Sequence, residues 1–416
     1  MPSIPSRHSG ITGFKWLALA AFVPVLLACG ATTTIVQGGG TPTPHPTTPT
    51  PVPPPPHAIS WNQLDGSGAP QIWASINDGA PTQITHTALP VPPCGLPFYG
   101  AAMFSPDLAH IIVATGGCST DAQIYGGLYI VETATGAATQ VPLPNQGGVL
   151  TNQRAYGWIN NTSVFAIGNW NNADEGASYT LGAGAATPLP GFPGNAREGV
   201  VRGTTLWYVT EDTGSVSGYE QTHVVLHHYD LGAHSVASGS IDLGSYGKFQ
   251  GSPGDYHLQG WDVSADGAHV AYQFTTPQKF IEVQGATGVQ SQTIFFANAD
   301  GSGATPILQY MVTNVLVRMR FSPNGKLVGI TEARGTPDVL SGCVNSPGKK
   351  GDPCLQFYTP DAVEYPAWHW DSGYMVTASD QTAQTGERIL YKDIPGQFNA
   401  GVYAQHGESP WSTPES

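Results

Sequence analysis

A short motif recurs along this chain and constrains its fold more than any other feature. Each copy has an apolar residue, a tight turn that begins with Ser, and a run of strand-forming residues. The clearest copies begin at Phe104-Ser105-Pro106-Asp107, Val263-Ser264-Ala265-Asp266-Gly267 and Phe321-Ser322-Pro323-Asn324-Gly325. Successive copies, weaker ones included, lie roughly 50 residues apart, a spacing typical of proteins built from repeated supersecondary units. The motif therefore predicts a repeated strand–turn–strand unit and not one irregular domain.

Weaker copies extend the repeat over most of the chain. They contain Tyr365-Pro366-Ala367-Trp368, Trp158, Val200-Val201 and, near the C-terminus, Ser409-Pro410-Trp411. The second half of the unit recurs as well, as in Gln71–Gly79 followed by Thr82–Thr85, where an Asp-Gly turn joins two strand-like runs. Such turns are typical of β-hairpins. Each unit is therefore predicted to hold about four short antiparallel strands.

The Phe-Ser-Pro-Asp turn and the strand-Asn-Ala-Asp-Gly-strand element at Asn298–Gly301 resemble the WD40-like, TolB-type propeller repeat. The resemblance covers Ile59 to Trp411 and implies an all-β fold, a seven-bladed β-propeller of four-stranded antiparallel blades. Six or eight blades remain alternatives. The first portion, Ile59–Thr85, lacks a strand before it, and the strand at Trp411 has nothing after it. We therefore expect the first and last pieces to form one blade shared between the termini.

The N-terminal segment has the pattern of an export signal. Arg7 and Lys15 precede a short apolar run, Trp16–Ala28, which is too short to span a bilayer as a stable helix. Its end, Leu26-Leu27-Ala28-Cys29, resembles the lipobox of bacterial lipoproteins, in which the Cys is lipidated. An ordinary signal peptide with a chance Cys is the alternative.

The domain prediction follows from this pattern. It has a lipoprotein signal peptide at 1–28, lipidated Cys29 with a Thr/Pro-rich disordered stalk at 29–57, and a β-propeller at 58–416. A tract rich in Thr and Pro favours extended chain over a packed core. The expected location is the cell envelope, with a lipid anchor in a membrane and the domain on the extracytoplasmic side.

The net charge limits the possible partners. The formal charge is −14, and removal of Arg7 and Lys15 with residues 1–28, which contain no acid, takes it to −16. An acidic chain lacks the excess of positive charge with which proteins bind nucleic acid or anionic lipid. We expect a monomer that contacts the membrane only through its lipid.

Cysteine usage predicts two disulfides. Cys94, Cys118, Cys343 and Cys354 remain once Cys29 is assigned, an even count in an exported protein. A hairpin around Ser105–Leu108 would oppose Cys94 and Cys118, and Cys343 and Cys354 flank a turn-rich segment. A metal site is the rival explanation, but no Cys-x-x-Cys pair occurs.

No metal and no cofactor are predicted. The histidines at positions 223, 227 and 228 lie on a strand-like segment, which would hold His223 and His227 about 13 Å apart. The chain has no Gly-x-Ser-x-Gly elbow, Gly-rich phosphate loop or calcium loop. The acid pairs Asp174-Glu175 and Glu211-Asp212 are interpreted as solvated.

Aromatic residues and long insertions are the binding candidates. Trp170, Tyr365 and Trp370 flank predicted strand ends or turns, where they could line a carbohydrate or peptide groove. Insertions at 169–176, 211–220, 275–292 and 332–354 are predicted as loops on a rigid scaffold, where recognition is commonly located.

The sequence thus favours a surface-anchored lipoprotein that binds a protein, peptide, glycan or other small ligand through its loops and performs no chemistry of its own. Two alternatives stay open. One is a propeller hydrolase, for instance one acting on glycans, with carboxylates from different blades. The other is a structural envelope scaffold.

Overall fold

The described residues of the computed structural model belong to one compact unit, Pro53–Ser416. They are 53–90, 98–116, 124–143, 151–170, 173–216, 219–247, 260–275, 290–312, 315–334, 354–360, 366–382, 387–393, 402–405 and 407–413. In these ranges the regular secondary structure is entirely β, as the repeat predicts. No helix in them is both long and apolar enough to cross a membrane. The predicted signal peptide and Cys29 lie outside them.

Strands from the two ends of the described chain share the first sheet. Its order is β30-β1-β2-β3, with β1 (Ala58–Leu64), β2 (Pro70–Ile76), β3 (Thr82–Gln83) and β30 (Gly407–Thr413). The strands β1 and β30 are antiparallel, and Ser60 lies opposite Trp411. The predicted pairing between the terminal pieces is therefore confirmed.

The next two sheets follow in chain order. The second contains β4 (Phe98–Tyr99), β5 (Met103–Phe104), β6 (His110–Gly116), β8 (Leu128–Glu132) and β9 (Ala138–Gln140). The third contains β7 (Ile124–Gly126), β10 (Thr151–Asn160), β11 (Ser163–Trp170), β12 (Ala173–Thr180) and β13 (Thr187–Pro188). Their strands pair antiparallel throughout.

A nine-stranded sheet follows. It contains β14 (Ala196–Arg202), β15 (Thr205–Val216), β16 (Tyr219–Asp230), β17 (Ser235–Val236), β18 (Ile241–Gly247), β19 (Trp261–Val263), β20 (His269–Thr275), β21 (Gln290–Asn298) and β22 (Thr305–Val312). Between β18 and β20 the pairing is parallel and reduces to Gly244 opposite Thr275. This sheet therefore consists of two antiparallel groups, β14–β18 and β19–β22, whose backbones pair at a single position.

The last two sheets differ in strand direction. One contains β23 (Val315–Phe321), β24 (Leu327–Arg334) and β25 (Cys354–Pro360), and the other contains β26 (Ala367–Trp368), β27 (Met375–Thr382), β28 (Glu387–Asp393) and β29 (Val402–Gln405). The prediction of four antiparallel strands is wrong for the former, because its described part has three strands and β24 pairs parallel to β25. A parallel pair needs a long crossover, and residues 335–353 separate these strands.

Two segments that were predicted as loops are extended hairpins. In the insertion at 211–220, residues 211–216 and 219–220 belong to β15 and β16, which stay in continuous register from Thr205–Asp230 to Val216–Tyr219. In the insertion at 169–176, residues 169–170 and 173–176 belong to β11 and β12. Polar composition suggested loops, but the strands keep their hydrogen-bonded ladders beyond the apolar core.

The Ser-led turns share one geometry. In the copy at Ser264, its N–H donates to His269 O at 2.9 Å, and Gly267 N–H donates back to Ser264 O at 2.8 Å. The Ser264 hydroxyl donates to Asp266 Oδ1 at 2.6 Å. Gly267 has a φ of 68°, the left-handed conformation that glycine adopts without strain. The same pattern recurs from Ser105 and from Ser322.

The carboxylate in this turn gives a pH-dependent contribution to stability. The hydrogen bond from Ser264 and the bond from the Ala268 N–H lower the pKa of Asp266. Because the folded pKa lies below the unfolded one, the stabilisation is complete above about pH 4 and is lost as the pH falls through the folded pKa. Asp266→Asn should lower the free energy of unfolding by less than about 1 kcal/mol at pH 7, since solvent screens this exposed group.

Urea unfolding of both proteins between pH 2 and pH 7 checks this expectation. The difference between wild type and Asp266→Asn should shrink below about pH 4. The copy at Ser322 carries Asn324 in place of the acid, so Asn324→Asp is the matched variant and should gain the same dependence. A difference that is flat across this range would contradict the assignment.

Apolar clusters join each strand group to the next one along the chain. In the first, Ile72 of β2 packs with Phe104 and Ile111 of the second sheet. Five further clusters continue this order, and one of them joins β14–β18 to β19–β22. A seventh cluster unites Ile59 and Trp61 of β1 with Ala367 and Val376 of the last sheet. The packing order among the described residues is therefore cyclic.

The aromatic residues of the repeat lie between sheets. Phe104, Trp368 and Trp411 are buried. The Trp158 Nε1–H donates to Met103 O at 2.8 Å, and the Trp368 Nε1–H donates to Arg320 O at 3.0 Å. Each of these bonds ties one sheet to the preceding one.

Candidate functional site

One copy of the Ser-led turn differs from the others in its first residue. In the last sheet His369 occupies the Ser position and Trp370 the next one. The backbone bonds are unchanged, because His369 N–H donates to Tyr374 O and Ser372 N–H donates to His369 O, both at 2.9 Å. The repeat therefore places an imidazole where its other clear copies place a hydroxyl.

The His369 ring is held on three sides. Its Nδ1 lies 2.6 Å from Asp371 Oδ1, the position that the turn acid occupies in other copies. Its Nε2 lies 2.7 Å from Oδ1 of Asp78, which is 291 positions away in sequence. Tyr374 stacks on the ring with centroids 4.4 Å apart. His369 is 6% exposed, so its orientation is fixed by these contacts.

A second imidazole comes from the residue that precedes β1. His57 is 5% exposed, and its Nδ1 lies 2.8 Å from Pro55 O. Its backbone N–H donates to the side chain of Asn77 at 3.1 Å. The Nε2 atom lies 3.2 Å from Asp78 Oδ2 but has no hydrogen-bonding partner. His57 thus presents a buried, unsatisfied nitrogen to the same carboxylate as His369.

Asp78 links the two imidazoles. It follows β2 in the turn to β3, with a φ of 58°, and its side chain is 56% exposed. Burial raises the pKa of Asp78, but the interactions with His369 and His57 outweigh this effect and leave the pKa below its ordinary value. The carboxylate is therefore ionised at neutral pH, between two buried imidazoles and solvent.

Trp370 covers the same cluster. Its ring centroid lies 5.3 Å from that of His57 and 5.7 Å from that of His369. Its Nε1 is buried and has no hydrogen-bonding partner. Of the three predicted aromatic residues, Trp370 is the one placed at this site. Trp170 ends β11, and Tyr365 lies outside the described residues.

Two imidazole nitrogens and one carboxylate form a donor set that binds divalent transition metals. The ligand atoms of His57, Asp78 and His369 lie within 4.8 Å of one another. Sequence reasoning missed this cluster because its members lie far apart in the chain. The available signal was His369 in a position that the repeat fills with Ser.

The histidines that the sequence did single out do not converge. All three lie on β16, as predicted, and each has a different neighbour. His223 pairs with Asp242 at 2.9 Å, His227 bonds Thr210 at 3.0 Å, and His228 packs on Trp207. Their separation along the strand excludes a shared metal ion.

The acid pair Glu211-Asp212 has ordinary polar partners. Glu211 lies 3.6 Å from Arg197, and Asp212 accepts a hydrogen bond from Asn195 at 2.8 Å. Asp174-Glu175 lies in β12.

The predicted disulfides remain predictions. Cys94, Cys118 and Cys343 lie outside the described residues, and Cys354 begins β25. The hairpin on which the first pairing was based does form, because Phe98 lies opposite Gly116 and Tyr99 opposite Thr115.

A buried ionic cluster joins strands from three consecutive groups. Asp262 on β19 is 0% exposed and lies 3.1 Å from the guanidinium of Arg202 on β14 and 3.4 Å from that of Arg320 on β23. It also accepts the Phe321 N–H at 2.7 Å. Since every contact crosses between groups, this cluster sets how the groups pack.

Comparisons with known proteins identify no family. No family model matches the chain, and no curated protein matches it. Among solved structures, TolB from Acinetobacter baumannii is 12% identical, with a TM-score of 0.43, 85% of this chain covered and 66% of that chain. A protein from Lactobacillus plantarum is 9% identical, with a TM-score of 0.42 and coverage of 86% and 98%.

The tricorn protease is 11% identical, with a TM-score of 0.38, and the match covers 84% of this chain and 43% of the protease. The chain therefore spans slightly less than two thirds of TolB and under half of the protease. At these identities and TM-scores the similarities assign neither a fold family nor an activity.

Proposed function

We propose that this protein is a seven-bladed β-propeller, lipid-anchored on the extracytoplasmic side of a membrane, that binds a protein, peptide or glycan and performs no chemistry of its own. The observation that carries the proposal is the cyclic order of the apolar clusters, in which β1 packs against the last sheet and pairs with β30. A closed ring is a rigid scaffold, and binding residues are commonly held on the loops of such scaffolds.

The division of the nine-stranded sheet supports the proposed blade count of seven. Its halves, β14–β18 and β19–β22, share one parallel residue pair and have an apolar cluster between them, as separate blades would. With this division, the strand groups number seven, and seven clusters connect them within the described residues.

The anchor is proposed from the lipobox, Leu26-Leu27-Ala28-Cys29, and from the Thr/Pro-rich tract that follows it. Such a tract favours an extended backbone, and it leads to His57 immediately before β1. The ring would thus be attached to the membrane through one edge of its first blade.

Replacement of Cys29 by Ser should move the protein from the membrane fraction to the soluble fraction, because one residue carries the whole attachment. Fractionation and mass spectrometry of the N-terminal peptide check this, and the wild-type peptide should carry a diacylglyceryl group. Cys354→Ser is the matched control and should stay in the membrane fraction. An unmodified Cys29 in the wild type would overturn the anchor.

Recognition is tested separately with the full chain as bait in a cell-envelope extract and on glycan and peptide arrays. Replacing 276–289 or 335–353 by Gly/Ser linkers of the same length, which keep the crossover between β24 and β25 long enough, should abolish the detected binding. Retention of all binding by both variants would contradict loop recognition. Turnover of chromogenic glycosides or peptides by purified protein would overturn the proposal in favour of a hydrolase.

A further inference from the structure

We infer that His57, Asp78 and His369 form a binding site for one divalent transition-metal ion of the Zn²⁺ class, which fastens the first sheet to the last. The three residues come from the segment before β1, the β2–β3 turn and the turn after β26. The inference is independent of the membrane anchor and of any ligand of the loops.

The hydrogen-bond inventory of the two imidazoles supports a cation. A carbonyl oxygen only accepts, so Nδ1 of His57 must carry the proton that it shares with Pro55 O at 2.8 Å. By the same reasoning, Nδ1 of His369 donates to the carboxylate of Asp371 at 2.6 Å. In a neutral ring the other nitrogen, Nε2, then has a lone pair and no proton.

In neutral rings with this tautomer, both lone pairs would face the carboxylate of Asp78. The Nε2 atoms of His57 and His369 lie 3.2 Å and 2.7 Å from the two oxygens of Asp78. A nitrogen lone pair that faces a carboxylate is repelled by it. Moving the ring protons from Nδ1 to Nε2 would instead place lone pairs against the Pro55 carbonyl and the Asp371 carboxylate. Either a second proton on each ring or a metal cation between the three residues removes this conflict, and metal titration of the stripped protein distinguishes the two.

The distances suit a small ion. Two ligands at 2.0–2.1 Å from a tetrahedral ion are about 3.3 Å apart, close to the 3.2 Å from His57 Nε2 to Asp78 Oδ2. The 2.7 Å contact of His369 would have to widen slightly on binding. The exposed side of Asp78 leaves a fourth position for water or for a ligand.

The surroundings match those of metal-bound histidines. Such histidines usually donate their second ring N–H to a carboxylate or a backbone carbonyl, and here Asp371 and Pro55 are the two acceptors. With a divalent ion, the charges of Asp78 and Asp371 are balanced. The donor set of two imidazoles and one carboxylate suits Zn²⁺, and Co²⁺ is its usual spectroscopic substitute.

The test uses the full chain with Cys29→Ser, stripped with EDTA and titrated with Zn²⁺ or Co²⁺. We expect one equivalent of Zn²⁺ by elemental analysis, a visible Co²⁺ spectrum without the intense thiolate band that cysteine ligands would give, and a rise of several degrees in the melting temperature when free metal exceeds the dissociation constant.

The diagnostic variant is His369→Ser, because Ser is the residue that the other copies of this turn contain and it should preserve the fold. It should weaken metal binding by at least about 100-fold, and Asp371→Asn, which alters only the support of His369, by about 10–100-fold. His86→Ser removes an exposed histidine and should bind metal like the wild type. Asp78→Asn is a second ligand variant should His369→Ser fail to fold.

Two results would overturn the inference. One is a wild-type protein that takes up no metal after stripping. The other is a His369→Ser or Asp78→Asn protein that binds the same amount as the wild type with the same affinity. Either result would leave the cluster as an ionic network of protonated imidazoles and carboxylates only.

Discussion

Ending the chain at residue 406 should remove at least about 5 kcal/mol from the free energy of unfolding, and it should abolish cooperative unfolding if the ring has no other closure. The truncation deletes β30, which supplies the antiparallel partner of β1. It also removes Trp411, which is 6% exposed and packs beneath the guanidinium of Arg320 at 4.7 Å. Removal of a buried Trp side chain alone costs about 3–5 kcal/mol, and the lost backbone bonds add to this.

Urea denaturation followed by circular dichroism measures the effect. Ending the chain at residue 413 is the matched control, because it removes three residues but keeps all of β30, and it should unfold like the wild type. A synthetic peptide of residues 402–416 added to the truncated chain should restore part of the lost stability. Equal unfolding midpoints for the chains ending at 406 and 416 would contradict closure by β30.

Replacing Asp262 with Ala should lower the free energy of unfolding by about 3–5 kcal/mol, because it leaves the guanidinium of Arg202 buried without its carboxylate partner at 3.1 Å. The variant also removes the acceptor of the Phe321 N–H. Since the group is fully buried, added salt should change the difference very little. Equilibrium unfolding in urea at two salt concentrations tests both statements.

Asp300→Ala is the surface control for this variant. Asp300 is exposed in the turn between β21 and β22, and its loss should leave the urea midpoint close to that of the wild type. A double-mutant cycle with Arg202→Ala should show strong coupling. Once Asp262 has been replaced, removing Arg202 should cost little, because the two single variants lose the same contact. Additive losses in that cycle would mean that Asp262 acts through its other contacts, with Arg320 and with the Phe321 N–H.

The sequence predicts those parts of the fold that depend on local turn chemistry. The Ser-led turns mark where β5 leads into β6 and β23 into β24, because the hydroxyls of Ser105 and Ser322 accept hydrogen bonds from backbone N–H groups of their own turns. The pairing of β30 with β1 is also predictable, since an unpaired strand at each end of a repeat needs a partner.

Other features depend on long-range packing, which a local pattern does not encode. The parallel pairing of β24 and β25 follows from a crossover of 19 residues, 335–353, whose sequence has no repeat signal. The extent of β15 and β16 is set by their mutual ladder and not by hydrophobic alternation. The site is the extreme case, because His57 and His369 become neighbours only after the ring has closed.

Closure by β30 also determines the order in which this protein can be made. Ribosomes synthesise the chain from the N-terminus at about 5–20 residues per second. The strand β1 is therefore complete long before β30 has been made. Until then the edge of β1 is an open strand, and open edges invite aggregation and proteolysis. Chains that stop early, or that are clipped near the end, keep that edge exposed. Only chains that contain β30 can cover the edge of β1 in this way.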